Sequence, residues 1–165
     1  MPTANCSPTF MTWRFAVLAQ QQSSSNPPPP VQGALSAPSL LGHYLGGSGS
    51  DYQITDKSFN EFIYEMKKQG KLPSTSDPVP GVDGLSQATV STYGTKYENA
   101  VGLAVLYFKG GKPVGYSDWW NFDPKPAGAR SKTGEILVDT AAHLPGKPFL
   151  VLYGTTPPPS TIPRN

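Results

Sequence analysis

Residues 101–116, VGLAVLYFKGGKPVGY, decide the fold of this chain. The run at 101–109 is almost continuously apolar, which is typical of a strand buried at the centre of a sheet. Gly110 and Gly111 follow as a two-residue hairpin turn, since glycine accepts the positive φ angles that such turns need. Residues 112–116 then return beside the first strand, and Pro113 indicates an edge or a bulge because proline cannot donate to the ladder. The sequence therefore predicts a β-hairpin at the heart of the domain.

The clearest helix precedes this hairpin, at 58–69. Ser58 and Glu61 have the spacing of a capping box, and Gly70 suits the position after the last turn. One apolar face follows the helical repeat and consists of Phe59, Phe62, Ile63 and Met66. The pattern predicts that this face is buried.

Three further elements complete the predicted order. Strands are expected at 89–93 and 149–153, where β-prone residues are grouped. A second helix is expected at 133–143, which Pro145 and Gly146 end. The predicted fold class is α+β, with a small, mostly antiparallel sheet and two helices.

Both ends of the chain have low-complexity composition. Residues 20–30 read QQQSSSNPPPP, a polar and proline-rich segment that cannot bury apolar surface. The C-terminus reads TTPPPSTIPRN and is similarly broken by proline. Three segments are therefore predicted: a disordered leader and linker at 1–39, a single α+β domain at 40–154, and a flexible Pro-rich tail at 155–165.

The composition excludes several classes of protein. The 165 residues include 17 glycines and 19 prolines and only 15% are charged, which excludes a coiled coil or a helical bundle. The 7 Phe, 8 Tyr and 3 Trp are too many aromatic residues for a wholly disordered chain. The net charge is +2, and no basic run is longer than Lys67-Lys68, so no nucleic-acid partner is expected.

Cysteine content and hydropathy give further limits. Cys6 is the only cysteine, so the chain forms no internal disulfide and offers no thiolate metal site. No apolar run reaches the roughly 18 residues of a transmembrane helix. The apolar stretch at 10–19 is interrupted by Arg14, and we interpret it as a leader with no convincing signal peptide or as a piece of something longer. We expect a monomer with no transmembrane segment.

The stretch at 117–135, SDWWNFDPKPAGARSKTGE, holds the densest set of functional residue types. Asp118 and Asp123 could together hold a Mg²⁺ ion, which binds few protein oxygens and keeps its waters. Arg130 could clamp a phosphate with two parallel hydrogen bonds, beside the backbone donors of the following helix N-terminus. The pattern therefore predicts phosphoester chemistry with Asp118, Asp123 and Arg130 as catalytic residues. Substrate contacts are expected from Trp119, Trp120, Lys125 and Ser131.

A structural interpretation of the same residues stays open. Asp118 would then cap a turn, Asp123 would start one with its following proline, and the tryptophans would belong to the core. Arg130 would pair with one of the acids. His43 and His143 likewise have two interpretations, as a general base or as a turn or helix-end residue.

Four segments together resemble the C-terminal effector domains of bacterial polymorphic toxins, which end very large secreted proteins of the Rhs and contact-dependent types. They are HYLGGSGSDYQITDKSFNEF at 43–62, YENAVGLAVLYF at 97–108, SDWWNFDPKPAGARSKTGEI at 117–136 and LPGKPFLVLYG at 144–154. The resemblance is one of pattern and order and covers about residues 41–154. It implies an antibacterial toxin, secreted or delivered to the envelope of a target cell, with an immunity protein as partner.

Within that group, the Asp118 segment is similar to the colicin M family of bacteriocins, which cleave the peptidoglycan precursor lipid II by metal-dependent phosphodiester hydrolysis. The family motif is Asp, any residue, Tyr-Asp, five residues and His-Arg. Asp118 matches the first position, but Trp120-Asn121 and Ala127-Gly128 stand where Tyr-Asp and His-Arg would fall. Asp123 and Arg130 restore the residue types only with a different spacing. The resemblance implies hydrolysis of a lipid-linked envelope precursor and carries over Asp118 alone.

Two other functions stay open at this point. Exposed aromatic residues and Gly/Pro loops suit a non-enzymatic secreted binding or structural module that contacts a partner or a glycan. A phage or virion appendage protein is the third alternative, and it would assemble into oligomers.

Overall fold

The structure is a computed structural model, and it describes residues 30–46, 49–121 and 143–163. Neither described helix combines the length and the apolar composition needed to cross a membrane. The helices are α1 (Ala37–Gly46) and α2 (Asp56–Lys68), and a 3₁₀ turn follows at Pro159–Thr161. The strands are β1 (Val31–Gly33), β2 (Tyr52–Ile54), β3 (Asp77–Pro78), β4 (Ser86–Ser91), β5 (Leu103–Lys109), β6 (Lys112–Trp120) and β7 (Phe149–Gly154).

The described strands form one seven-stranded sheet in the order β1-β2-β7-β6-β5-β4-β3. The pairings from β7 through β6, β5 and β4 to β3 are antiparallel. The pairings of β1 with β2 and of β2 with β7 are parallel. The predicted α+β class is therefore confirmed, with the correction that the sheet is mixed, since its N-terminal strands join it in parallel.

The central hairpin is confirmed and is longer than the sequence predicted. Gly110 and Gly111 have φ angles of 57° and 75°, as the tight turn requires. The register shifts between Tyr107 and Phe108, opposite Pro113, so the proline lies at a bulge. Strand β6 continues to Trp120 and is therefore four residues longer than the predicted return strand at 112–116.

Both helices lie on one face of the sheet and bury the main core. Strand alternation places Leu106, Tyr116 and Val151 on this face, and each is fully buried. The opposite face is covered only in part. The loop after β3 packs Val79 and Leu85 on Tyr107, and the C-terminal tail packs Ile162 on β7. We call these the helix face and the open face.

Helix α2 begins earlier than the capping-box pattern predicted. Thr55 is its N-cap, and its hydroxyl accepts a hydrogen bond from the Ser58 amide at 3.3 Å. The hydroxyl of Ser58 instead accepts from the Leu35 amide. The predicted apolar face is confirmed, because Phe59, Phe62 and Met66 are buried and Ile63 packs against them.

The predicted boundaries of the folded unit need two corrections. Strand β1 and the buried side chain of Leu35 lie inside the segment 1–39 that the composition predicted as leader and linker. At the other end, Ile162 is 7% exposed and belongs to a small apolar cluster, so the described part of the tail 155–165 packs on the domain. Polar, proline-rich composition did not reveal these few apolar anchors.

Helix α1 was not predicted, and the helix predicted at 133–143 lies outside the described residues, except for its last residue. The α1 sequence, APSLLGHYLG, contains one proline and two glycines, all poor helix formers. Leu40 and Tyr44 are its buried residues. Its stability therefore comes from tertiary packing, which no local pattern in the sequence reveals.

Phe62→Ala should lower the free energy of unfolding by about 3–5 kcal/mol, the usual range for a buried phenylalanine. Phe62 is fully buried and its ring contacts Tyr97 and Tyr116. Urea denaturation measures the change. Tyr64→Ala on the same helix is the matched control, because Tyr64 is 68% exposed. A loss below about 1 kcal/mol for Phe62→Ala would contradict the packing described here.

Deletion of residues 1–39 should lower the melting temperature by more than about 5 °C. The deletion removes β1, the buried Leu35 and the first turn of α1. Deletion of residues 1–29 keeps every described residue and serves as the comparison. Equal melting temperatures for the two truncated proteins would show that residues 30–39 contribute nothing to the folded unit.

Candidate functional site

Asp118 lies on β6, on the helix face of the sheet. It is half-buried, and it stands directly opposite Val151 on β7. Its neighbours two residues away on the same face are Tyr116 and Trp120, which are both buried. The carboxylate therefore interrupts a row of buried aromatic side chains.

The two helices cover the sheet on either side of Asp118. The ring of Tyr116 lies 5.4 Å from that of Phe62 on α2. The ring of Trp120 lies 5.8 Å from that of Tyr44 on α1. Asp118 is thus placed between the part of β6 under α2 and the part under α1.

His43 on α1 is the second titratable residue on this face. Its Nε2 atom lies 2.8 Å from the backbone carbonyl oxygen of Ser50. A carbonyl oxygen can only accept, so Nε2 carries the proton and, in the neutral ring, Nδ1 carries the lone pair. The ring is half-buried, with Phe149 at 4.4 Å and Tyr52 at 5.2 Å between ring centroids. The hydrogen bond and the ring contacts together fix both the tautomer and the orientation of the imidazole.

Phe149 connects His43 to the strand that carries Asp118. Phe149 stands opposite Trp120 in the β6–β7 register, and their ring centroids are 5.4 Å apart. The imidazole and the carboxylate therefore share one face of the sheet near the ends of paired strands. Sequence analysis named His43 as a possible general base but could not place it on the same face as Asp118, because the two are far apart in the chain.

Tyr116, the buried neighbour of Asp118 on the helix face, has a hydroxyl group with a raised pKa. Burial raises the pKa of the Tyr116 hydroxyl well above 10.0, and the negative charge of Asp118 raises it further. That hydroxyl has no hydrogen-bond partner within the described part of the chain. The tyrosine is therefore neutral in the folded protein at all ordinary pH values.

The structure places the predicted site residues Trp119 and Trp120 in different environments, and four others lie outside the part that it describes. Trp120 is 7% exposed and its indole Nε1 donates to the carbonyl oxygen of Ala100 at 2.6 Å, which gives it a role in the core. Trp119 points to the open face, where it packs on Leu150 and Ile162. The remaining predicted residues lie outside the described ranges: Asp123, Lys125, Arg130 and Ser131.

Within residues 30–46, 49–121 and 143–163, no group of three or more His, Cys, Asp or Glu side chains could hold a metal ion. Comparisons of the chain with protein-family models, curated proteins and solved structures found no significant match. The function is therefore inferred from the side chains on the helix face and from the resemblance of residues 41–154.

Tyr116→Phe should leave the free energy of unfolding unchanged or raise it by about 1 kcal/mol, because it removes a buried hydroxyl without a hydrogen bond. Tyr107→Phe is the matched comparison. The Tyr107 hydroxyl lies 2.8 Å from Ser117 Oγ, and its removal should cost about 0.5–1.5 kcal/mol. Chemical denaturation at neutral pH measures both, and the reverse order of stabilities would contradict these assignments.

Tyr116→Phe should also weaken alkaline destabilisation. The pKa of Tyr116 is raised in the folded protein, so above about pH 10 the unfolded chain releases a proton that the folded chain keeps. The stability contributed by this group is complete below the unfolded pKa and is lost as the pH rises towards the folded pKa. Denaturation between about pH 9 and 11 should therefore show a shallower loss of stability for Tyr116→Phe than for the exposed control Tyr64→Phe.

Proposed function

We propose that the chain is a bacterial effector domain that hydrolyses a phosphodiester in a cell-envelope precursor such as lipid II. His43 acts as the general base. The observation that carries this proposal is the hydrogen bond from His43 Nε2 to the Ser50 carbonyl, which leaves the lone pair of the neutral ring on Nδ1, on the face that also holds Asp118. The resemblance to polymorphic toxins and to the colicin M family supplies the substrate class.

In the proposed reaction, Nδ1 of His43 takes a proton from water as the water oxygen forms a bond to phosphorus. The bond between phosphorus and the leaving oxygen breaks, and that oxygen departs with the electron pair and is protonated by solvent. The imidazolium that forms keeps its hydrogen bond from Nε2–H to the Ser50 carbonyl. The Ser50 carbonyl thus positions the base in the way that a carboxylate does in other hydrolases.

Asp118 is proposed to hold the reacting groups near His43. Carboxylate oxygens are ligands that Mg²⁺ prefers, and Asp118 is only half-buried, so its carboxylate could hold the ion together with Asp123, as the sequence predicts. A bound Mg²⁺ would polarise the phosphoryl oxygens. Arg130 and Lys125 would bind the phosphate through their positive charges, with Ser131 beside them, as the sequence predicts. An immunity protein in the producing cell and secretion, or delivery to the target envelope, belong to the same proposal.

The test is toxicity of the chain when a secretion signal directs it to the periplasm of a susceptible bacterium. His43→Gln should abolish killing, because the glutamine amide can still donate to the Ser50 carbonyl but cannot accept the proton. Asp118→Asn should do the same. With purified protein and lipid II, each variant should reduce the rate of phosphate release by about 10²–10⁴-fold, measured by ³¹P NMR.

Two matched variants control for a change of charge or side-chain size. His143→Gln alters the other histidine, which is exposed, and Asp83→Asn alters an exposed carboxylate in the loop between β3 and β4. Both should remain as toxic as the wild type. Full toxicity of a correctly folded His43→Gln protein, checked by circular dichroism and melting temperature, would refute the proposed base.

A further inference from the structure

The open face of the sheet carries a groove of about 420 Å³. Its floor is formed by β4, β5 and β6, its ends by Asp77 on β3 and by Ile162 in the C-terminal tail. This volume lies within the range of about 300–1,000 Å³ that is usual for small-molecule sites. The groove faces away from α1 and α2 and therefore away from His43.

A pair of buried hydroxyl groups lies in the floor of the groove. Tyr107 Oη and Ser117 Oγ are 2.8 Å apart, and both residues are at most 2% exposed. Only one of the two hydroxyl protons can lie between the oxygens. The second proton has no acceptor within the described residues, so the floor offers a hydrogen-bond donor to an oxygen of a bound molecule.

The walls above this pair are partly apolar and partly polar. The half-buried ring of Trp119 and the side chain of Leu103, which is 49% exposed, supply apolar surface. Gln87 and Thr89 on β4 supply an amide and a hydroxyl, and Asp77 supplies a carboxylate. An aromatic and aliphatic surface with several separated polar groups is typical of a site that orients a small polar molecule.

The charge of the lining restricts the kind of molecule. Asp77 contributes a negative charge, and the lining residues that the structure describes include no Lys, Arg or His. An anionic ligand would therefore meet a like charge and no cationic side chain among these described residues. The described lining therefore favours a neutral molecule over an anionic one.

The backbone of the floor is already used by the sheet. β5 pairs with β4 on one side and with β6 on the other, so its amide and carbonyl groups bond within the ladders. An extended peptide bound here could not add to the sheet as a strand, and its own backbone groups would depend on side chains alone. Sugar hydroxyl groups, by contrast, pair readily with an amide, a hydroxyl and a carboxylate.

We propose that this groove binds a neutral oligosaccharide, with the C–H face of a sugar ring on Trp119 and sugar hydroxyl groups bonded to Gln87, Thr89, Asp77 and the Tyr107–Ser117 pair. A sugar ring presents C–H groups on its faces and hydroxyl groups around its edge, which matches the division of the lining. The inference does not depend on hydrolysis by His43, because the two sites lie on opposite faces. A protein that hydrolyses lipid II without binding sugar would refute this inference alone, and one that binds sugar without hydrolysis would refute the proposed function alone.

Isothermal titration of the full chain with two neutral probes, N,N′,N″-triacetylchitotriose and cellotetraose, tests the proposal. At least one should bind, and tetragalacturonate, an anionic probe of similar size, should not. Thr89→Arg fills the groove from an exposed position and should weaken binding at least about tenfold, as should Trp119→Ala. Trp119→Phe should keep part of the affinity, and Tyr64→Ala, far from the groove on α2, should keep all of it.

Three results would overturn the proposal. The first is the absence of heat and of amide chemical-shift changes with both neutral probes up to about 10 mM. The second is unchanged affinity in Thr89→Arg, a surface variant that should fold as the wild type does. The third is binding at the same residues of tetragalacturonate or of a blocked tetra-alanine peptide in place of the neutral sugars.

Discussion

The pairing of β7 with β6 is the constraint on which the rest of the structure depends. β7 is the last strand in the chain, yet it lies between β2 and β6 and joins the parallel N-terminal strands to the antiparallel part of the sheet. The approach is close at Gly115 and Gly154. A Cβ atom on Gly115 would lie 1.9 Å from the carbonyl oxygen of Thr155, and Gly154 has a φ of 59°. Any side chain at either position would force β6 and the end of β7 apart at this point.

The dependence on β7 explains which parts of the fold the sequence could predict. The hairpin of β5 and β6 has local signals: an apolar run, a Gly-Gly turn and a proline at the bulge. The parallel pairing of Tyr52 with Val151 joins residues about a hundred positions apart, and β1 and β2 have only three residues each. Such short strands depend on pairing with residues distant in the chain. Three residues are also too few for an alternating hydrophobic pattern to identify a strand.

The same reasoning applies to the candidate site. Asp118 was named from the sequence because it lies in the stretch at 117–135, which holds the densest set of functional residue types. The placement of His43 on the same face was not predicted, since it requires α1, whose sequence is poor in helix formers, and the β6–β7 register that brings Phe149 against Trp120. Trp119 and Trp120 were both predicted to contact substrate, but they lie on opposite faces of the sheet. Trp120 lies under α1 in the core, whereas Trp119 borders the open face.

The bulge at Pro113 determines which chemistry each face of the sheet presents. Phe108 stands opposite Pro113, but the next residue of β5, Tyr107, stands opposite Gly115, so one residue of β6 is left without a partner. Without the bulge, alternation would continue in the opposite phase, and Ser117 would face the helices while Asp118 would face the open groove. Trp120 would then leave the core. A single extra residue near the turn therefore assigns the carboxylate to the face of His43, and it assigns the buried hydroxyl pair and Trp119 to the groove.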